Sequence, residues 1–280
     1  MRLQSVELQL AEPARAGEFF EQVWGLTAAG NDGATRFFRG TAGLPHIIAL
    51  SPGEPSIRSI TFCGTPAELE QTAARARRHG ALFSDKACVV ISGPEAQTYR
   101  FVVEAPAAAL AADRDRPVRL SHVVLNANDA DAAERFAVEV LGFRLTDRTR
   151  HMTFVRCNRT HHCIAYARAG YSSLNHIAFE MRDLDAVMRG IGRLRDAGCE
   201  CVWGPGRHGP GHNVFGYFVA PFGAVIEYTA EVEEVGDDYR VGGPEDWKWP
   251  PGRIDHWGLS KKNTELTGAA ERRFRWSNAA

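Results

Sequence analysis

The feature that most constrains this chain is that it repeats itself. PARAGEFFEQVWGL, from Pro13, can be laid on ADAAERFAVEVLGF, from Ala130, at one constant offset that pairs Phe19 with Phe136 and Gly25 with Gly142. Each stretch has the apolar spacing of an amphipathic helix, and each ends at a glycine that can take the left-handed turn closing a helix. An alternating strand precedes each, QSVELQL in the first and RLSHVVLNA in the second. The same offset pairs SITF, from Ser59, with HIAF, from His176, and both lead into a second helix, PAELEQTAARARRHG or DLDAVMRGIGRLRDAG. Strands close each half: CVVISG and YRFVVEA, then GYFVA and AVIEYTA. A chain with such a repeat folds as two copies of one unit.

The copies predict two similar modules, residues 1–112 and 117–235, joined through the polar, proline-containing AAALAADRDRPVR. Residues 236–280 remain, and they hold Trp247, Trp249, Trp257 and Trp276, four of the six tryptophans. That is too aromatic for a disordered tail. It predicts a segment packed on a module or on a subunit neighbour, with a short helix around GAAERRFRW, serving as a pocket cover or as plain packing.

Composition narrows the class of partner. A net charge of −1, 24% charged residues and only the short basic pieces RARRHG and ERRFR argue against nucleic acid or an anionic membrane as the main partner. No apolar run is long enough to span a bilayer, and MRLQSVELQLAEPA lacks the apolar core of a secretion signal, so a cytoplasmic protein is expected. The six cysteines (Cys63, Cys88, Cys157, Cys163, Cys199, Cys201) are scattered and read as reduced thiols. The Cys199–Cys201 pair has no second pair to complete a metal site.

Chemistry separates the two copies. Where the second has His122 the first has Ser5, and where the second has His176 the first has Ser59. Both histidines sit inside apolar strands, SHVVL and NHIAF, as Glu227 sits inside AVIEY. One strand histidine is usually a satisfied core residue, and a buried carboxylate without a partner is costly. Three such residues at equivalent places in one module point to a common partner. Two neutral imidazoles and one carboxylate make the facial triad that holds Fe(II) with positions left open, and Mn(II) suits the same donors. Of the other histidines, His212 reads as a loop residue, and His46, His79, His151 and His256 as surface or capping residues.

With these residues in place, the chain resembles the type I extradiol ring-cleaving dioxygenases of the vicinal oxygen chelate superfamily. The family's signature falls on Gly206, His208, Tyr217, Ala220, Pro221, Gly223 and Glu227, with one departure, Gly216 in place of a bulky apolar residue. RCNRTHHCIAYAR is similar to the family's strand bearing an active-site histidine. The resemblance covers residues 1–235 and implies an α+β fold of two tandem modules. Each would be a pair of βαβββ units forming a curved, partly open mixed β-barrel with helices outside. It also implies His122, His176 and Glu227 as iron ligands, His162 as acid and base, and His208 and Tyr217 as residues lining the substrate and oxygen side. His161 would be a strand neighbour of His162 facing the other way.

The function so implied is Fe(II)-dependent extradiol cleavage of a catechol with dioxygen, in the breakdown of aromatic compounds. A metal with one carboxylate and two neutral imidazoles is left with one net positive charge, which a catecholate monoanion would neutralise. A histidine suits proton transfer at neutral pH, and a tyrosine hydroxyl suits a developing oxyanion. The first module, lacking every ligand, would be non-catalytic, and a homo-oligomer is expected from two-module relatives. Two other readings stand beside this one: a glyoxalase-like metal-dependent isomerase or lyase, and a non-enzymatic binding protein for small molecules.

Overall fold

In the computed structural model, which describes residues 1–84, 88–105, 108–111 and 113–277, the repeat is realised strand for strand. The first copy runs β1 (Arg2–Leu10), α1 (Pro13–Phe19), β2 (Thr27–Asp32), β3 (Thr35–Arg39), β4 (Ile48–Pro52), β5 (Ser56–Gly64), α2 (Pro66–Arg78), β6 (Leu82–Ser84), β7 (Val89–Ser92) and β8 (Thr98–Val103). The second runs β9 (Arg119–Ala127), α3 (Ala130–Phe136), β10 (Arg144–Arg148), β11 (Met152–Arg156), β12 (Ile164–Arg168), β13 (Ser173–Glu180), α4 (Leu184–Asp196), β14 (Trp203–Arg207), β15 (Val214–Val219) and β16 (Val225–Ala230). One sheet has the order β2-β3-β4-β1-β5-β8-β7-β6, the other β10-β11-β12-β9-β13-β16-β15-β14. The order is the same in both. Each sheet is mixed and open: β9 pairs antiparallel with β13 and parallel with β12, while β13 pairs parallel with β16.

Local chemistry explains the helix ends. Both α1 and α3 widen into a π-helical turn, Phe20–Trp24 and Ala137–Leu141, and stop at Gly25 (φ 92°) and Gly142 (φ 77°). Thr65 and Glu68 form a reciprocal capping box at the start of α2, and the Asp183 carboxylate accepts the Ala186 N–H at 2.8 Å at the start of α4.

The copies hold each other by exchanging contacts. Arg75 of α2 donates to the carbonyls of Val140 and Leu141 in the second copy's π turn, and Arg193 of α4 donates to the Val23 carbonyl in the first copy's π turn. Between the sheets, Tyr228 stacks on Trp24 with centroids 3.8 Å apart and donates its hydroxyl to the Trp24 carbonyl at 2.5 Å. The buried apolar residues form one main cluster running through both copies.

The boundary expected at residue 112 lies outside the described residues. On either side of it the chain is docked on the first copy, with Leu110 N–H bonded to the Thr41 carbonyl and Thr41 N–H bonded to the Pro117 carbonyl. The tail bridges both copies: α5 (Thr264–Glu271) packs on β13, β15 and β16, and β17 (Arg275–Trp276) pairs parallel with β5. Its helix begins earlier than GAAERRFRW suggests, because Asn263 caps it by accepting the Leu266 N–H at 3.1 Å. The RFRW end is then a turn and strand, with Phe274 and Trp276 buried.

Candidate metal centre

Register brings the strand-borne residues together. His122 on β9 and Glu227 on β16 both pair with Ala178 on β13, so the three form one cross-strand row sharing a face. His176 precedes Ala178 by two residues and joins that face. Ala178 is small, and its methyl leaves space between the flanking side chains. One ligand atom each from His122, His176 and Glu227 lies within 4.8 Å of the others, and all three residues are buried. Glu227 Oε2 stands 3.1 Å from His176 Nε2 and 3.4 Å from His122 Nε2.

The donor set fits a divalent cation. His176 Nδ1 lies 2.7 Å from Asn175 Oδ1, and the Asn175 amide is oriented by donating to Asn126 Oδ1 at 2.8 Å. Asn126 in turn donates to the Glu271 carbonyl of α5 at 3.4 Å. An amide oxygen accepts only, so the His176 proton sits on Nδ1 and Nε2 presents a lone pair. That lone pair faces Glu227 Oε2, which is fully buried and has no hydrogen-bond donor among the described residues. Two acceptors this close call for a cation between them.

His162, His208 and Tyr217 surround the triad. The His162 ring lies 4.2 Å from that of His122, and Tyr217 OH lies 2.9 Å from His208 Nε2 and 3.5 Å from His176 Nε2. Trp203 stacks on Tyr217 and Phe215 on His208, which fixes both rings. Burial pushes His162 well below the ordinary imidazole value, with the neighbouring histidines adding to it, and takes His208 down to about 3. Burial, with Glu227 second, pushes the Tyr217 phenol well up.

His161 needs correction. It and His162 are not on a strand but in the segment that leads into β12, and both are turned inward and buried. Adjacent side chains alternate faces only in extended chain, so the expected outward-facing neighbour is absent. The departure at Gly216 has a structural reason, since a Cβ there would meet Ile191 of α4 at 2.9 Å, on the side away from Tyr217. His212 is exposed and stacks on His256, His79 ends α2, and His46 lies against Phe37, all outside the site. Cys199 and Cys201 are free thiols and belong to no metal-holding group among the described residues.

Sequence reasoning missed the residues that anchor the rings. Ser121 Oγ lies 3.0 Å from His122 Nδ1, as Asn175 lies against His176 and His161 against His162. In each case the anchor is the residue immediately before the histidine. The dipeptides SH, NH and HH were the available signal.

In the first copy, the row matching His122, Ala178 and Glu227 is Ser5, Thr61 and Arg100, with Ser59 in the place of His176. Ser51 and Ser59 donate to Glu7 there, at 3.2 and 3.4 Å. A guanidinium stands where the other sheet has its carboxylate.

Residues 119–228 match the sequence signature of the Glyoxalase/Bleomycin resistance protein/Dioxygenase superfamily. That part of the chain is a domain of this superfamily, and its curated relatives include extradiol dioxygenases. Metapyrocatechase 2 of Cupriavidus necator is 32% identical over 139 residues, 49% of this chain and 41% of that protein. The match thus spans about two fifths of the relative's length. The Mn(II)-bound glyoxalase of Novosphingobium aromaticivorans superposes with a TM-score of 0.85 at 29% identity, over 95% of this chain and 93% of the other. Homoprotocatechuate 2,3-dioxygenase of Brevibacterium fuscum, in complex with 3,4-dihydroxyphenylacetate, has the same fold, with a TM-score of 0.80 at 20% identity over 96% and 92% of the two chains.

Proposed function

We propose that His122, His176 and Glu227 hold one Fe(II), with Mn(II) suiting the same donors, and that the chain performs extradiol cleavage of a catechol with dioxygen. The observation that carries this reading is the orphaned, fully buried Glu227 oxygen facing the lone pair of His176, with His162, His208 and Tyr217 gathered around it. The likeness to metapyrocatechase 2 supports it. When bound, the metal would gather catechol and dioxygen at its open positions and let electron density pass between them.

The protein residues supply the proton chemistry. His162 rests neutral in its buried place, so it must take a proton from the catechol before it can return one. Tyr217 keeps its phenol proton and, paired with His208, offers a hydrogen bond to oxygen that gains negative charge. Residues 117–235 form the catalytic module in this reading and 1–112 a non-catalytic partner, which the Ser5, Thr61 and Arg100 row supports. The expected tail, 236–280, supports this site through its helix α5, which packs on the second sheet, and through Trp249, which covers Gly209 beside His208. Ile254, Leu259 and Leu266 remain exposed on that tail and support its contact with a second copy in a homo-oligomer. Six free cysteines support a reducing, cytoplasmic setting, and no helix among the described residues is long and apolar enough to cross a membrane.

The test is oxygen uptake by anaerobically Fe(II)-loaded protein with a series of substituted catechols. A yellow ring-fission product with stoichiometric oxygen consumption is expected. His176→Ala should lose most bound metal, and stoichiometric iron in that variant would refute the triad. The likeness to the Novosphingobium protein favours a second reading, a metal-dependent isomerase. Isomerisation of a hemithioacetal, without oxygen uptake on any catechol, would select it.

A further inference from the structure

Beside this centre lie two buried groups that the reading above leaves unused. His161 and Asp147 of β10 are both fully buried, and His161 Nε2 stands 2.7 Å from Asp147 Oδ2. The other His161 nitrogen, Nδ1, stands 3.0 Å from Nδ1 of His162. Asp147 Oδ1 accepts the Gly242 N–H at 2.8 Å, and the Tyr239 hydroxyl donates to Oδ2 at 3.3 Å. Both of those donors come from the tail.

The sequence of contacts decides where the protons sit. The carboxylate accepts only, so His161 Nε2 carries the proton directed at Asp147. In a neutral ring Nδ1 is then a lone pair, and its contact with His162 requires the proton on His162 Nδ1. His162 Nε2 is left as a lone pair that no described residue engages. Gly211 permits the arrangement: a Cβ there would sit 3.2 Å from His161 Nδ1 and 3.2 Å from His162 Cε1, and its φ of +77° suits glycine.

Building on the acid–base role proposed for His162, we propose that Asp147 and His161 are positioning residues that hold His162 in the one tautomer whose Nε2 can take a substrate proton. A buried carboxylate ordering an imidazole for proton transfer is a general device, and here a second imidazole is interposed. The tail takes part, since Gly242 N–H holds one carboxylate oxygen of Asp147 and the Tyr239 hydroxyl donates to the oxygen that faces His161.

Asp147→Asn tests this directly. Gly242 N–H keeps the amide oxygen of the variant, so its NH2 faces His161 Nε2 and turns that atom into an acceptor. The His161 proton then moves to Nδ1, and His162 is left protonated on Nε2. Bound iron and the catechol KM should stay within about twofold while kcat falls on the order of 10²–10⁴-fold. His161→Gln should recover much of the rate lost in His161→Ala, because a glutamine can accept from His162 and donate to Asp147 with one amide. If Asp147→Asn does not fold, this second pair carries the same comparison.

A readout independent of turnover is ¹⁵N NMR of the full chain, histidine-labelled and loaded with Zn(II), with His162 assigned by its loss in His162→Gln. The wild type should show His162 protonated on Nδ1 and bare on Nε2, and Asp147→Asn the reverse. A wild-type His162 protonated on Nε2, or an Asp147→Asn protein with unchanged tautomer and unchanged kcat, would overturn the proposal. Should the wild type consume no catechol at all, the extradiol reading fails and the NMR result alone decides the positioning.

Discussion

Replacing Asn175 by Ala attacks the metal centre without touching a ligand. Asn175 Oδ1 is the acceptor for His176 Nδ1 at 2.7 Å, and it is held by the Asn126 oxygen and, behind that, by the Glu271 carbonyl. Without it the His176 ring can rotate and can place its proton on Nε2, the atom that should face the metal. Losing such an anchor typically costs about 10–100-fold in metal affinity, or about 1.4–2.8 kcal/mol. Asn175→Asp should behave oppositely, because a carboxylate still accepts from Nδ1 and makes Nε2 more basic, so its affinity should match or exceed wild type. Asn175 is only half-buried, so the Ala variant should remain folded, with a urea midpoint close to wild type in chelator. The assay is anaerobic competition of Fe(II) or Mn(II) against a chromophoric chelator for the three proteins. Equal affinity in all three, or equal loss in the Ala and Asp variants, would show that the anchor does not set the ligand.

Three further outcomes are expected. A Ser5→Ala, Ser59→Ala double variant should keep full metal content and turnover by elemental analysis and oxygen uptake, since Arg100 already excludes a cation from that row. Trp24→Ala should lower stability by about 3–5 kcal/mol in urea unfolding, since it empties a fully buried indole site stacked on Tyr228. Burial, and after it Arg100, holds His46 below its ordinary value of 6.5, so the folded chain resists a proton that the unfolded chain accepts. Stability from that ring is therefore intact above 6.5 and falls as pH drops below it, and His46→Phe, which keeps the packing on Phe37, should flatten the urea midpoint between about pH 7 and 5.

Much of this was legible because duplication gave the sequence an internal control. His122 and His176 stood out against Ser5 and Ser59 at identical offsets, and glycines at matched positions marked the helix ends. The counterpart of Glu227 was not legible. Register shows it to be Arg100, and 227 − 100 = 127 departs from the offset of 122 − 5 = 117 because the segment between α4 and β16 is longer in the second copy. Asp147 was equally hidden, since RLTDR reads as an ordinary amphipathic strand with surface charge. Its burial comes from the tail, whose Gly242 and Tyr239 close over it from more than ninety residues away. The misreading of His161 followed from treating HHCIAYAR as one strand, whereas β12 begins only at Ile164.

The duplication also bears on why a sheet without ligands is retained. Along β16, Glu227 faces the metal centre and the next residue, Tyr228, faces the opposite way. Tyr228 is fixed there by the first copy: its ring lies flat on Trp24 and its hydroxyl donates to the Trp24 carbonyl at 2.5 Å, while Arg193 donates to it from α4 at 2.9 Å. Arg193 itself reaches the first copy through the Val23 carbonyl. A one-residue slip of β16 would exchange these two faces, burying a phenol in the centre and a carboxylate against an indole. The first copy thus holds β16 in register and sets where Glu227 stands, although it contributes no ligand. On this argument Tyr228→Ala, a change outside the centre, should weaken metal binding as well as stability, whereas a purely structural contact would lower stability and leave the affinity of the folded fraction unchanged.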